Sequence, residues 1–131
     1  MIEERVFENL DFTGEPLSGT VFDNCSFVNC NFSNTNLSSY TFLECIFDHC
    51  NMTAINITNT AIKDAVFKHC NLLGVDFGVC NQILLSFSFK SCRLDLSSFY
   101  QLPLKETRFT LCSIKEVDFI ETDLTGAVFD E

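Results

Sequence analysis

The sequence predicts a repeat solenoid of five-residue units filling one domain, and two observations carry that prediction. A large apolar residue recurs at every fifth position from Phe7 through Phe12, Leu17, Phe22, Phe27, Phe32, Leu37, Phe42, Phe47, Met52, Ile57, Ile62, Phe67 and Leu72 to Phe77. A second run, shifted by two residues, takes in Phe89, Leu94, Phe99, Leu104, Phe109, Ile114, Phe119, Leu124 and Phe129. Two positions ahead of these the residue is usually small: Thr20, Cys25, Cys30, Thr35, Cys45, Cys50, Thr60, Ala65 and Cys70, then Cys92, Ser97, Thr107, Cys112, Thr122 and Ala127. A helix repeats about every 3.6 residues and a strand every 2 or so, and neither gives a period of five.

Composition agrees with a single packed domain. The chain has 131 residues, 47% of them hydrophobic, with 15 Phe, enough for a sizeable core. The formal charge of −10 with only 8 Lys and Arg argues against a general nucleic-acid binder, which needs clustered cations to neutralise phosphates. The N-terminal MIEERVFENLDF has no apolar segment of the secretory kind. No apolar run approaches the roughly 20 residues that cross a bilayer, so the expectation is a soluble protein with no membrane association. The 8 Cys, without a secretory signal, point to a reducing compartment and hence the cytoplasm.

The units CSFVN, CNFSN, CNLLG, VDFIE and TDLTG give the repeat its wording: a small residue, often Asp or Asn, a central Leu or Phe, and two outward residues. In this the chain resembles the pentapeptide-repeat proteins, and the resemblance covers essentially its whole length. It implies an all-β fold, a right-handed quadrilateral parallel β-helix in which four repeats make one square turn, with roughly six turns over 1–131. The residues test the implied turn, because side chains 20 apart should then share a wall. Allowing 22 across the interruption, one column reads Phe7, Phe27, Phe47, Phe67, Phe89, Phe109, Phe129. The second holds Phe12, Phe32, Met52, Leu72, Leu94 and Ile114; the third Leu17, Leu37, Ile57, Phe77, Phe99 and Phe119; the fourth Phe22, Phe42, Ile62, Leu84, Leu104 and Leu124. Four filled columns mean four walls.

On this lattice the C-x4-C spacings of residues 25–50 are a by-product of the period. Cys30, Cys50, Cys70, Cys92 and Cys112 form one column, and a line of thiols cannot surround a tetrahedral zinc ion. Stacked turns also leave their Cβ atoms about 4.8 Å apart, beyond disulfide geometry. The cysteines therefore read as buried small spacers, with no metal and no cofactor. His49 and His69 lie 20 apart at an outward position, either a solvated ladder or a two-histidine patch sensitive to pH or metal.

The interruption GVCNQI, residues 78–83, inserts two residues, with Cys80 inside it and Gln82 as the polar residue expected to turn inward. Tyr40, Ile55, Phe87 and Leu102 stand at positions normally small and suggest a locally wider square. No Gly-rich phosphate loop, GxSxG, HExxH or DxDxDG segment is present, and the outward residues offer no convergent cleft, so no catalytic residues are assigned.

Charge is unevenly spread. Residues 1–62 carry eight acids and one base, residues 63–115 four acids and seven bases, and residues 116–131 six acids and no base. The resemblance extends to quinolone-resistance and microcin B17 immunity type proteins, which act on DNA gyrase or topoisomerase IV and are thought to imitate duplex DNA. It implies a protein partner, a type II topoisomerase, protected against quinolones or toxins through the acidic residues Glu8, Asp11, Asp23, Asp48, Asp118, Asp123 and Asp130. The alternative is an interaction scaffold for another protein without DNA mimicry, which the basic midsection favours. The chain stops at AVFDE, a complete repeat without a polar cap. The expectation is a C-terminal truncation or, failing that, end-to-end pairing into a homodimer.

Overall fold

A computed structural model describes residues 1–131. Its strands are β1 (Ile2–Glu3), β2 (Val6–Glu8), β3 (Val21–Asp23), β4 (Ser26–Val28), β5 (Thr41–Leu43), β6 (Ile46–Asp48), β7 (Ala61–Lys63), β8 (Ala65–Lys68), β9 (Phe87–Lys90), β10 (Arg108–Thr110) and β11 (Val128–Asp130). All pair in parallel, β2 to β11 along one wall in the order 2-4-6-8-9-10-11 and β1-β3-β5-β7 along another. The molecule is a right-handed quadrilateral parallel β-helix of about six turns.

The corner residue of each unit explains the square. Two places after the inward residue the backbone takes a left-handed conformation, with φ of +52° to +57° at Asn9, Asn24, Asn29, Asn34 and Asn59. Asn adopts that conformation at little cost, so the corners draw on it heavily. Gly74 and Gly126 take the same role with φ of +68° and +73°.

The four walls are of two kinds, and the residue just before the central one separates them. On the two sheet-forming walls it is mostly β-branched or small: Val6, Ser26, Ile46 and Val66 on the first, Val21, Thr41 and Ala61 on the fourth, which beyond Lys63 changes to the turn-forming kind with Asn81 and Asp123. On the second and third walls it is Asn or Asp in most turns, and its side chain accepts the N–H two residues on. Asn31 takes Ser33 N at 3.0 Å, Asn56 takes Thr58 N at 3.0 Å and Asp76 takes Gly78 N at 2.9 Å. This local turn competes with extended pairing, so these walls meet the next turn through single bridges such as Asn31↔Asn51 and Asn36↔Asn56.

Inside, the first wall is a continuous ring stack. Centroid spacings run 4.9 Å from Phe7 to Phe27, 5.0 Å from Phe27 to Phe47, 5.0 Å to Phe67, 5.3 Å to Phe89, 5.3 Å to Phe109 and 4.8 Å to Phe129. The spacing follows the rise between turns, and the rings of adjoining walls meet edge to face, as Phe42 does with Phe47 at 74°. The end members are not fully enclosed. Phe7 and Cys112 are half-buried and Phe129 is 46% exposed, each lacking a full turn on one side.

Three expectations need correction at the interruption. The spacing between turns is still 20 at Ala61↔Asn81 and becomes 22 only at Ala65↔Phe87, so the extra residues lie after Asn81 rather than across 78–83. Cys80, which fits the first register by its spacing, is buried in the part before the break. Leu84 does not fill the fourth column: it takes the left-handed corner with φ +58° and is 68% exposed. Gln82 points out as well, and Leu85 and the buried Phe87 pack against the core in this turn. Ile55, Phe87 and Leu102, in normally small positions, are buried, while Tyr40 is half-buried with its hydroxyl 3.4 Å from Leu17 O.

Candidate protein-recognition surface

The interior offers no site. The central side chains meet along the axis, and the thiols are aimed at backbone rather than at a cavity. Cys50 Sγ donates to Phe27 O at 3.2 Å, Cys70 to Phe47 O at 3.2 Å and Cys92 to Phe67 O at 3.2 Å, each carbonyl belonging to the turn before. Thr60 and Thr122 do the same with their hydroxyls at 2.7 Å, so Cys and Thr interchange here, while Ser97 Oγ donates at 2.6 Å to Leu94 O of its own turn. All eight cysteines are free thiols. Burial pushes Cys45 and Cys80 up to about 11, and the neighbouring thiols of Cys50 and Cys92, with burial, push Cys70 higher.

The acidic residues singled out in the sequence are all at outward positions, but on all four walls. Glu8, Asp48 and Asp130 share the outward column of the first wall, Asp11 is on the second, Asp118 on the third, and Asp23 and Asp123 on the fourth. Asp11, Asp118 and Asp123 also hold the local turn, accepting Thr13 N, Ile120 N and Thr125 N at 2.9, 2.8 and 3.0 Å. Those bonds, with the Thr13 and Thr125 hydroxyls foremost, hold the Asp11 and Asp123 carboxyls below the usual range. Asp123 and Asp130 are further paired with Lys105 and Arg108, both at 3.7 Å.

His49 and His69 occupy left-handed corners, φ +55° and +50°, with rings stacked at 4.5 Å. His49 Nδ1 lies 2.7 Å from Asp48 Oδ1. Beside them Lys68 and Lys90 stand in adjacent strands as Cα partners.

Comparison with known proteins fits this geometry. The model of the pentapeptide repeat region matches residues 20–87, just over half the chain. The chain belongs to the pentapeptide-repeat family. No curated protein matches it. Among solved structures, trypsin-treated QnrB1, a plasmid-mediated fluoroquinolone resistance protein, is 19% identical, with 95% of this chain and 73% of that chain covered and a TM-score of 0.46. HetL, involved in heterocyst differentiation regulation in the cyanobacterium Nostoc sp. strain PCC 7120, is 13% identical, covering 96% and 88%, with a TM-score of 0.31. Rfr23 from the cyanobacterium Cyanothece 51142 is 14% identical, covering 99% and 85%, with a TM-score of 0.31.

Two features of this pentapeptide-repeat rod were not picked out from the sequence. The first is an apolar group on outward positions. Tyr100 and Ile120 occupy the same exposed position in successive turns of the third wall; one turn earlier Val79 stands at the corner that ends this wall, and Ile83 and Leu84 follow on the fourth wall up to its far corner. Ile83 is 76% exposed. The signal was there in the run QILL, but counting back from Phe89 placed Leu84 inside. The second is Asp95, a buried carboxylate that reaches into the next turn and accepts Ser113 Oγ at 2.6 Å and Lys115 N at 2.8 Å, with Arg93 Nε at 3.1 Å. It takes the N–H that Asn or Asp takes elsewhere on this wall, where the chain has Ser113. No helix of the chain is long and apolar enough to cross a membrane.

Proposed function

We propose that this protein is a non-catalytic, protein-binding rod of the cytoplasm. The observation that carries the reading is the set of exposed apolar side chains Val79, Tyr100 and Ile120 on the third wall and Ile83 and Leu84 on the fourth, standing in solvent on a lattice whose outward positions are mainly polar. Apolar side chains exposed on two adjoining walls offer a partner surface to bury. Leu84 sharpens the argument, because a left-handed leucine costs about 1–2 kcal/mol and contributes no burial in return. The partner thus has an apolar contact surface. Free buried thiols throughout support a reducing compartment.

A more specific reading is recognition of a type II topoisomerase by imitation of DNA, through Glu8, Asp11, Asp23, Asp48, Asp118, Asp123 and Asp130. The family resemblance and the charge of −10 favour it. The scatter of those acids over four walls and the basic midsection favour the scaffold reading. A gyrase supercoiling assay, with and without a fluoroquinolone, separates the two. Inhibition or drug protection that is lost on Asp118→Lys, Asp123→Lys and Asp130→Lys together supports topoisomerase recognition. No effect at micromolar protein refutes it. The scaffold reading is tested by affinity capture with Ile83→Asp and Ile120→Asp: a partner retained equally by this variant and by the wild type refutes the role of the apolar group.

A further inference from the structure

Three of the eight cations are ion-paired, and among the five that are not, Arg5, Lys63, Lys68, Lys90 and Lys115, only Lys68 and Lys90 are set opposite each other as strand partners. With 18 acids and 8 bases in the chain, each cation has a surplus of carboxylates to choose from. Arg93 pairs with Asp95, Lys105 with Asp123 and Arg108 with Asp130. Lys68 and Lys90 have no carboxylate within ion-pair distance. They are Cα partners on β8 and β9, so their side chains leave the sheet on the same face about 4.8 Å apart. Like charges set directly opposite each other destabilise a sheet.

A carboxylate stands nearby and is turned elsewhere. Asp48 is the register neighbour of Lys68 on β6, but its Oδ1 is 2.7 Å from His49 Nδ1. On the other side the register neighbour of Lys90 is the neutral Thr110. The position does not require lysine, since the same column holds Glu8 and Val28 in the first two turns. The pair therefore weakens the fold slightly and satisfies no internal partner. Around the corner follow His69, stacked on His49, and Ser91, both able to donate a hydrogen bond.

We propose that Lys68 and Lys90 form an oxyanion-binding site for a partner protein's acidic or phosphorylated segment, a role beyond the apolar contact surface described above. A carboxylate or phosphate seated between the two ammonium groups replaces their repulsion with two charge-assisted hydrogen bonds. The spacing of the pair suits one bridging anion or two successive ones on an extended chain. A protein segment fits better than nucleic acid. The acidic residues 1–62 and 116–131 flank the site and repel a long polyanion, whereas a short segment meets the basic middle and, of the flanking acids, chiefly Asp48 beside Lys68.

The test is fluorescence anisotropy on the full chain at low salt, with labelled peptides of about eight residues carrying two adjacent glutamates, two adjacent phosphoserines, or neither. The expected result is saturable binding of one or both anionic peptides and none of the neutral one. Which anionic peptide binds more tightly identifies the source of the oxyanion. Lys68→Ser and Lys90→Ser should each weaken binding about tenfold, the loss of one charge-assisted bond, while Lys63→Ser on another wall leaves it unchanged. Asp48→Asn should tighten it. A second readout distinguishes a ligand site from a structural one: Lys90→Ser should raise the melting temperature of the free protein at low salt, because it removes a repulsion. Binding unchanged in both lysine variants, or no binding of either anionic peptide, overturns the proposal. So does a duplex oligonucleotide that binds more tightly than both peptides and depends on the same lysines.

Discussion

Truncating Phe47 to Ala probes the column on which the fold rests. Phe47 is 2% exposed and stacked between Phe27 and Phe67, each at 5.0 Å and within 10° of parallel, with Phe42 edge-on at 5.3 Å. A buried Phe→Ala change costs about 3–5 kcal/mol, and the upper half of that range applies because the rings above and below are held by their own turns and cannot collapse into the gap. In a solenoid each unit contacts only its neighbours, so a central substitution weakens two interfaces while Phe129→Ala weakens one, half-exposed at that. The terminal change should therefore cost about 1–2 kcal/mol. Urea unfolding followed by far-ultraviolet circular dichroism measures both, and the melting temperature of Phe47→Ala should fall by roughly 10–20 °C. Equal losses at the two sites, or a loss under about 1 kcal/mol at Phe47, would refute the claim that stability resides in the stacked column.

Leu111 occupies a left-handed corner, φ +54°, with its side chain in solvent, so Leu111→Asn should stabilise by about 0.5–1 kcal/mol, read as a higher urea midpoint. The thiols of Cys45 and Cys80, raised to about 11 by burial, should resist alkylation at pH 8 in the folded protein, and all eight cysteines should react in denaturant; fast labelling of the native state would contradict their placement. Asp95 is held below the usual carboxylate range by Ser113, Lys115 N and Arg93. A depressed folded value means that its contribution is present above the unfolded value of about 3.9 and is lost as pH falls through the lower folded value. Asp95→Asn should thus lower stability at pH 7 and flatten the loss on acidification below about pH 4; an unchanged acid limb would rule that contribution out.

The column Phe7, Phe27, Phe47, Phe67, Phe89, Phe109, Phe129 could be read from the sequence because an inward position on a square turn admits only large apolar groups. Three features were not legible, each for a physical reason. The position of the two extra residues was ambiguous because the residue at the lattice point, Gln82, is polar and its neighbour Leu84 is not; backbone register decided it, and hydrophobicity pointed the wrong way. The donor role of Cys50 depends on the carbonyl of Phe27, 23 residues earlier, a relation visible only once turns are stacked. The acids Asp11, Asp118 and Asp123 stood out by charge, whereas their position before the central residue marks them as turn-formers too. The contrast between Ile46 or Val66 on one wall and Asn51 or Asn71 on the next held the sheet-forming and turn-forming walls apart in the sequence all along.

The lattice divides labour between positions, and that division is what makes its surface interpretable. Inward residues and the small residues behind them carry packing and the thiol and hydroxyl bonds to backbone, and buried polar side-chain atoms are all satisfied. The outward positions are left with few structural duties beyond the corner and the Asn or Asp turn. A residue there that serves neither duty, and that the fold would be better without, is a signal of recognition. By that criterion the seven acids rank low, because three hold turns and two are paired with cations. Leu84, Leu96 and Leu111, exposed in left-handed corners, and Lys90, opposed to Lys68 without a counter-ion, rank high. All lie in residues 63–115, where the rod is basic and its repeat is broken, and so the middle of this protein, rather than its acidic ends, is where a partner is to be sought.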